Sequence, residues 1–301
     1  MPLPFDGRKL QKVAMKKTTS GWINGFIGVV IFAGSLPATR VAVADLDPIF
    51  LTGARATIAG LLGLALLLLL RQARPKMTDV QALAITALGV VVGFPLLTAL
   101  ALQYITSAHS IVFVGLLPLC TAIFAVLRSG ERPGPVFWLF STVGAAFVVG
   151  YAGMGGIQAS PEGDLLMLGA VVVCGLGYAE GGRLSRRLGG WQVISWALVL
   201  SLPLMLPITL LTMPASFEHV GGPAWIGLAY VALFSMLIGF VFWYHGLAQG
   251  GIAAVGQLQL LQPFMGLGLA ALLLHEQVSW TMLVATLGAV VCVAGAKRYA
   301  R

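Results

Sequence analysis

The sequence predicts an all-α membrane protein whose ten transmembrane helices form two inverted five-helix repeats. Three observations predict it: the composition, ten apolar segments of spanning length, and an internal repeat. Of the 301 residues, 58% are hydrophobic and only 9% are charged, whereas a soluble domain carries roughly 25% charged residues. So few charges cannot cover the surface of a soluble protein of this length. The composition therefore predicts an integral membrane protein.

Ten apolar segments are long enough to cross a bilayer, which takes about 20 residues per helix. The first resembles a cleaved signal peptide, but its apolar run is too long and contains Gly34, Pro37 and Arg40, so we predict a retained helix. The predicted spans are 20–44, 48–70, 80–101, 106–127, 134–153, 165–185, 192–213, 224–246, 251–274 and 278–297.

The basic residues give the predicted topology. With the N-terminus inside, every Lys and Arg except Arg40 and Arg55 falls in a segment expected to be cytoplasmic, while external connections contain acids such as Asp45 and Glu162. We therefore predict a multi-pass protein of the bacterial inner membrane with both termini in the cytoplasm. The predicted parts are a cytoplasmic segment 1–19, a first repeat 20–153, an external linker 154–163 and a second repeat 164–298.

The internal repeat relates residues 102–131 to residues 247–276, an offset of 145 with no gap. A proline and a glutamate recur in both copies. Because each repeat holds five spans, an odd number, the second copy must enter the membrane from the opposite side. Two inverted halves can open a site at the midplane to either side in turn, which is the architecture of a carrier. We assign hinge or gating roles to Pro37, Pro118, Pro263, Glu131 and Glu276; the two glutamates could alternatively fix helix ends.

Other functional classes are not indicated. The net charge of +8 does not predict nucleic-acid binding, because the basic residues form short clusters between apolar runs. Cys120, Cys174 and Cys292 lie within apolar segments and predict no disulfide framework. No GxSxG, HExxH or Walker glycine motif is present. We therefore expect no enzyme activity, no metal and no cofactor.

Charged side chains at membrane depth are costly in lipid and tend to face the protein interior. Arg40 could bind a substrate carboxylate, snorkel outward or pair with Asp45. Arg55 lies nearer its helix end and is expected to snorkel. Glu180 is expected to pair with Arg183 or Arg187 at the cytoplasmic end.

Aromatic and amide side chains form two further clusters. His109 and Phe113 share a helical face, and His109 is either a binding or a structural residue. Trp243 and Tyr244 belong to an aromatic cluster that is either an interfacial belt or a cavity wall. Three amides in the ninth span cannot all face lipid, which favours cavity lining. They are Gln257, Gln259 and Gln262.

At these residues the chain resembles the drug/metabolite transporter superfamily, in its EamA branch. The resemblance rests on the two five-span halves, the repeated proline and glutamate, and Arg40 and Arg55 in the first two spans. Within that branch the chain is more similar to the YddG-type aromatic amino-acid exporters than to carriers of sugar phosphates. The resemblance implies a central cavity that would draw on Arg40, Phe94, Thr98, His109, Phe113, Tyr178, Trp243, Tyr244, Gln257 and Gln259.

The sequence and the resemblance together predict an inner-membrane exporter of amino acids, aromatic and other neutral or small ones. It would work by alternating access, as a monomer whose partners are its substrate and the lipid bilayer. The alternative is an efflux carrier for another metabolite or a cationic drug. A carrier of cations would need a carboxylate within the membrane, for which Glu180 is the candidate.

Overall fold

The computed structural model describes residues 7–153, 160–275 and 277–298, and ten long helices form this part of the chain. Eight are long and apolar enough to cross a membrane, and the other two, α5 and α10, contain shorter apolar stretches. The helices are α1 (Thr19–Ala42, continuing a helix that begins at Gly7), α2 (Pro48–Leu69), α3 (Met77–Tyr104), α4 (Ser107–Ser129), α5 (Pro135–Gly153), α6 (Pro161–Leu188), α7 (Gly190–Leu211), α8 (Gly222–Gly250), α9 (Ile252–Leu274) and α10 (Trp280–Arg298).

Local sequence explains several helix ends. The Asp47 carboxylate accepts hydrogen bonds from the backbone N–H groups of Ile49 and Phe50 at 2.8 and 3.0 Å, and Pro48 follows at the first helical position of α2. Residues 161–163 of the predicted linker belong to α6, and residues 154–159 lie outside the described residues. Gly130, in the left-handed conformation with φ 69°, ends α4.

The helices pair as a two-fold relation between the halves requires. Helix α1 packs on α8 and α3 packs on α6, while α2 packs on α7 and α5 on α10. In the same way α4 packs on α6 and α9 on α1. Small residues allow the closest of these approaches: a Cβ on Gly246 of α8 would lie 2.6 Å from the backbone nitrogen of Gly25 in α1. The pairing places the interface between the halves at the centre of the molecule.

Irregular stretches interrupt the helices at repeat-related places. Helix α3 contains a π-helical stretch, Ala87–Gly93, and α8 contains another, Tyr230–Ile238. An offset of 145 carries the first onto residues 232–238. Such stretches leave the regular backbone pattern and are frequent at functional sites.

Helix breaks accompany the three prolines assigned as hinges. Helix α1 is interrupted at Gly34, three residues before Pro37. The regular helix of α4 resumes at Leu117, next to Pro118, and that of α9 resumes at Leu261, two residues before Pro263. A proline removes one backbone hydrogen bond and clashes with the preceding turn. The three prolines therefore explain the positions of these breaks.

Candidate functional site

The irregular stretches meet at a small cavity between the two halves. Its volume is about 20 Å³, which is room for about one water molecule. The lining residues come from the central parts of α1, α2 and α3 in the first half and of α6, α8 and α9 in the second. They are Phe32, Ser35, Leu36, Arg55, Val90, Phe94, Tyr178, Ser235, Phe240 and Gln262.

Aromatic side chains form one wall of this cavity. The ring of Phe32 lies 4.9 Å from that of Phe240 and 6.4 Å from that of Tyr178, measured between centroids. Trp243 stands behind them, with its ring 5.4 Å from that of Tyr178. Rings at these separations make favourable stacked and tilted contacts. The wall offers an apolar, shape-selective surface to an occupant.

Polar groups form the opposite side. The Ser35 and Ser235 hydroxyls are hydrogen-bonded at 2.7 Å, and Arg55 Nη2 donates to Ser235 Oγ at 3.3 Å. Gln262 Nε2 donates to the Phe32 carbonyl at 3.5 Å, and its Oε1 is buried with no partner in the described chain. Arg55 is only 4% exposed. The expectation that Arg55 snorkels was therefore wrong, because α8 covers its side chain and turns it into the protein.

Four of the aromatic site residues predicted from sequence lie in or near the wall of this cavity. Phe94 and Tyr178 line it, and Trp243 packs behind it. The Tyr244 hydroxyl donates to the Gly177 carbonyl at 3.1 Å. Thr98 is buried, with its hydroxyl bonded to carbonyls of its own helix.

Other predicted binding residues lie elsewhere between the helices. His109 Nε2 is 2.7 Å from Asp164 Oδ1, and the Phe113 ring lies 5.7 Å from the His109 ring. Arg40 donates to the Leu102 carbonyl of α3. It does not pair with Asp45, whose carboxylate accepts from the backbone of residue 221.

The two amides Gln257 and Gln259 lie beside the central cavity's lining rather than in it. Gln257 lines a second cavity of about 150 Å³ near α1 and α10. Gln259 is fully buried, and both atoms of its amide group lack a partner in the described chain. Of the three amides, Gln262 is the one that lines the central cavity.

Glu131, one of the residues assigned to gating, joins the two halves just beyond the C-terminal end of α4. The Glu131 carboxylate accepts hydrogen bonds from the backbone N–H groups of Ile252 and Ala253, at 3.2 and 2.9 Å, and so caps the start of α9. Arg186 Nη2 also donates to it at 2.7 Å. Glu276, the repeat-related glutamate, lies outside the described residues.

Buried carboxylates in the described chain pair with basic side chains. Glu180 is fully buried and accepts from Arg128 Nε at 3.0 Å and from Arg183, the latter as the sequence predicted. Asp79, also buried, pairs with Arg187. No group of three or more His, Cys, Asp or Glu side chains that could hold a metal occurs among the described residues.

Sequence reasoning found Gln262 on the polar side of the cavity but missed the rest of that side. Arg55, Ser35 and Ser235 are single polar residues within apolar runs, which is the available signal. That signal tells which residues are costly in lipid, but it does not tell which of them meet.

Comparison with known proteins gives the family. The sequence model of the EamA-like transporter family matches residues 19–152 and again residues 161–296. The chain is 65% identical over 287 residues to YdeK of Bacillus subtilis (strain 168), an uncharacterized transporter, and the alignment covers 95% of this chain and 100% of YdeK. It is 25% identical over 214 residues to YedA of Escherichia coli (strain K12), an uncharacterized inner membrane transporter, covering 69% of this chain and 68% of YedA.

The fold agrees with this match. A solved crystal structure superimposes with a TM-score of 0.70 at 22% sequence identity, covering 92% of this chain and 98% of the other. The predicted fold class, an all-α membrane protein with two repeats, is confirmed by the helices and by the two matched ranges. The chain is a multi-pass membrane transporter that belongs to the EamA-like transporter family.

Proposed function

We propose that this protein exports amino acids, aromatic and other neutral or small ones, from the cytoplasm by alternating access. The observation that carries the proposal is the central cavity, which has an aromatic wall facing a polar side and is built from both halves. Such a site suits a small zwitterion with an apolar side chain, because few convergent polar groups orient the ligand and the apolar wall buries the rest.

Two sets of polar contacts connect the halves at opposite ends of α4. At its N-terminal end His109 meets Asp164 of α6, and at its C-terminal end Arg128 meets Glu180 of α6. Glu131 adds the cap on α9 at this second end. Both sets are formed, and the cavity has room for little more than a water. We propose that this arrangement is a closed state of the transport cycle and that transport breaks one set at a time.

The helix breaks supply the places where the halves can bend. Near the break in α1 the Ile31 carbonyl accepts a hydrogen bond from the Tyr230 hydroxyl at 2.7 Å. We propose that Pro37, Pro118 and Pro263 act as hinges. We also propose that the remaining predicted binding residues contact the substrate in the open states.

Topology and assembly belong to the same proposal. The protein would lie in the bacterial inner membrane with both termini in the cytoplasm. It would work as a monomer, since one chain contains both halves of the pathway.

Counterflow in proteoliposomes tests the substrate class. Six solutes are tested in turn as the exchanged substrate. They are phenylalanine, threonine, glutamate, lysine, a sugar phosphate and a quaternary amine. We expect neutral amino acids to exchange. Exchange of only the quaternary amine or only the sugar phosphate would refute the proposal.

The substitution Glu180→Gln tests the cationic alternative. Both Glu180 oxygens accept from arginines, which supports a structural role rather than one in cation binding. We expect Glu180→Gln to lower the melting temperature and leave the KM for phenylalanine unchanged. A selective loss of quaternary-amine transport would instead favour the drug-efflux alternative.

A further inference from the structure

Arg55 is a buried cation for which the described chain supplies no counter-ion. Its hydrogen bond to a neutral hydroxyl, Ser235 Oγ, is long at 3.3 Å, and its Nε has no partner in the described chain. Burying a charge without a partner lowers stability, so we expect a functional interaction, such as ligand binding, to account for the presence of this group. Arg55 lines the central cavity, where an occupant would reach it.

The other arginines that contact groups within the helix bundle are less buried than Arg55 and are already engaged. Arg128 and Arg183 bind Glu180, Arg187 binds Asp79, and Arg40 donates to a backbone carbonyl. These contacts lie toward the helix ends, whereas Arg55 faces the cavity between the halves. Among these arginines, Arg55 is therefore the one placed to bind a transported anion.

We propose that Arg55 binds the carboxylate of the transported substrate and thereby selects carboxylate-bearing solutes over amines. The inference rests on the proposed function and deepens it by naming the group that is recognised. A guanidinium matches a carboxylate with two parallel N–H donors, and Arg55 has its Nε free for such a fork.

The rest of the cavity complements this arrangement. Gln262 Oε1 is buried without a partner in the described chain and can accept a hydrogen bond from the substrate's ammonium group. Phe94, Tyr178 and Phe240 can contact its side chain. One ligand, a zwitterionic amino acid, would thus engage both polar groups and the aromatic wall. The cavity must widen to admit it, as alternating access requires.

Three probes that share a phenyl ring separate the two charged groups. Phenylalanine carries both, 3-phenylpropionate carries only the carboxylate, and phenethylamine carries only the amine. Binding is measured as a shift in the melting temperature of the purified protein in detergent. We expect the two carboxylates to stabilise the wild type and phenethylamine to leave it unchanged.

The variants Arg55→Gln and Arg55→Lys test the residue itself. We expect Arg55→Gln to weaken carboxylate binding by roughly 10- to 100-fold, and Arg55→Lys to weaken it less, since Lys keeps the charge but loses the fork. The matched control is Arg74→Gln, which removes one exposed arginine from the connection between α2 and α3. It should bind the carboxylates like the wild type.

A measurement without ligand guards against a folding artefact. If Arg55 is retained for binding, Arg55→Gln removes an uncompensated buried charge, and the melting temperature without ligand should stay level or rise. A fall in this melting temperature together with unchanged carboxylate binding would assign Arg55 a purely structural role and overturn the inference.

The outcomes distinguish this inference from the proposed function. Phenylalanine exchange that survives in Arg55→Gln leaves the exporter proposal standing and overturns the role of Arg55. Arg55-dependent stabilisation by 3-phenylpropionate without amino-acid exchange supports Arg55 and overturns the exporter proposal. Stabilisation by phenethylamine alone, or by no probe, overturns the inference.

Discussion

Removing the Glu131 carboxylate should loosen one end of the interface between the halves. Its two oxygens accept from two backbone N–H groups at the start of α9, and it is 21% exposed, so water can partly replace it. Loss of a helix cap costs about 1 kcal/mol and loss of the favourable charge at the helix start about 0.5 kcal/mol. The ion pair with Arg186, itself 40% exposed, adds about 0.3 kcal/mol. We expect Glu131→Ala to lose roughly 2 kcal/mol in all.

The assay can use the protein's own thiols. Cys174 is fully buried, so a fluorogenic thiol reagent reports its exposure when the purified protein unfolds on heating. A loss of about 2 kcal/mol should lower the midpoint by about 3 °C in a chain of this size. Glu131→Gln keeps one acceptor oxygen and should lose about half as much.

Arg186→Gln is the matched control, because it removes the ion pair and leaves the cap. It should shift the midpoint by about 1 °C or less. If Arg186→Gln costs as much as Glu131→Ala, the ion pair rather than the cap holds the halves together. If Glu131→Ala melts like the wild type, the capping bonds contribute nothing and the reasoning fails.

Three further predictions use the same melting assay. Gly246→Ala should lower the free energy of unfolding by about 1–3 kcal/mol, because its Cβ would lie 2.6 Å from the backbone of α1. Gly268→Ala is the control and should be tolerated, since its Cβ would meet no atom within 4 Å. Equal midpoints for the two variants would contradict this. Tyr230→Phe should cost about 1 kcal/mol through the lost bond to the Ile31 carbonyl, and an unchanged midpoint would mean that this carbonyl finds another donor. The repeat relates Glu276 to Glu131, so we expect Glu276→Ala to lose about as much stability as Glu131→Ala; a wild-type midpoint would refute this equivalence.

The helix pattern could be predicted closely from the sequence, because apolar runs of spanning length leave little choice of secondary structure. The predicted span 165–185 corresponds to Pro161–Leu188, and its extra residues come from the Ser160 cap and the polar C-terminal turns. The positions of the helix breaks could be predicted from the prolines, which act through local sterics. The π-helical stretches had no such signal, since Ala87–Gly93 and Tyr230–Ile238 are ordinary apolar sequence.

The polar side of the cavity depends on packing between distant segments. Arg55 lies seven residues into α2, about 10 Å from the helix start, which is within reach of the membrane surface for a long side chain. Whether it snorkels or turns inward is decided by Ser235, 180 residues away in sequence. The pairing of His109 with Asp164 is likewise fixed by how α4 lies against α6.

The two halves are alike in the segments proposed to move and unlike in the residues proposed to bind the substrate. An offset of 145 relates the two π-helical stretches, Pro118 to Pro263 and Glu131 to Glu276, as exchange between two equivalent open states requires. Pro37 has no such counterpart. At the cavity the same offset relates Val90 to Ser235. Val90 is apolar, whereas the Ser235 hydroxyl accepts a hydrogen bond from Arg55. Substitutions in the recurring set should therefore change the balance between conformations. Those in the unpaired set should change which solute is bound, because a zwitterion has two different ends and needs an asymmetric site.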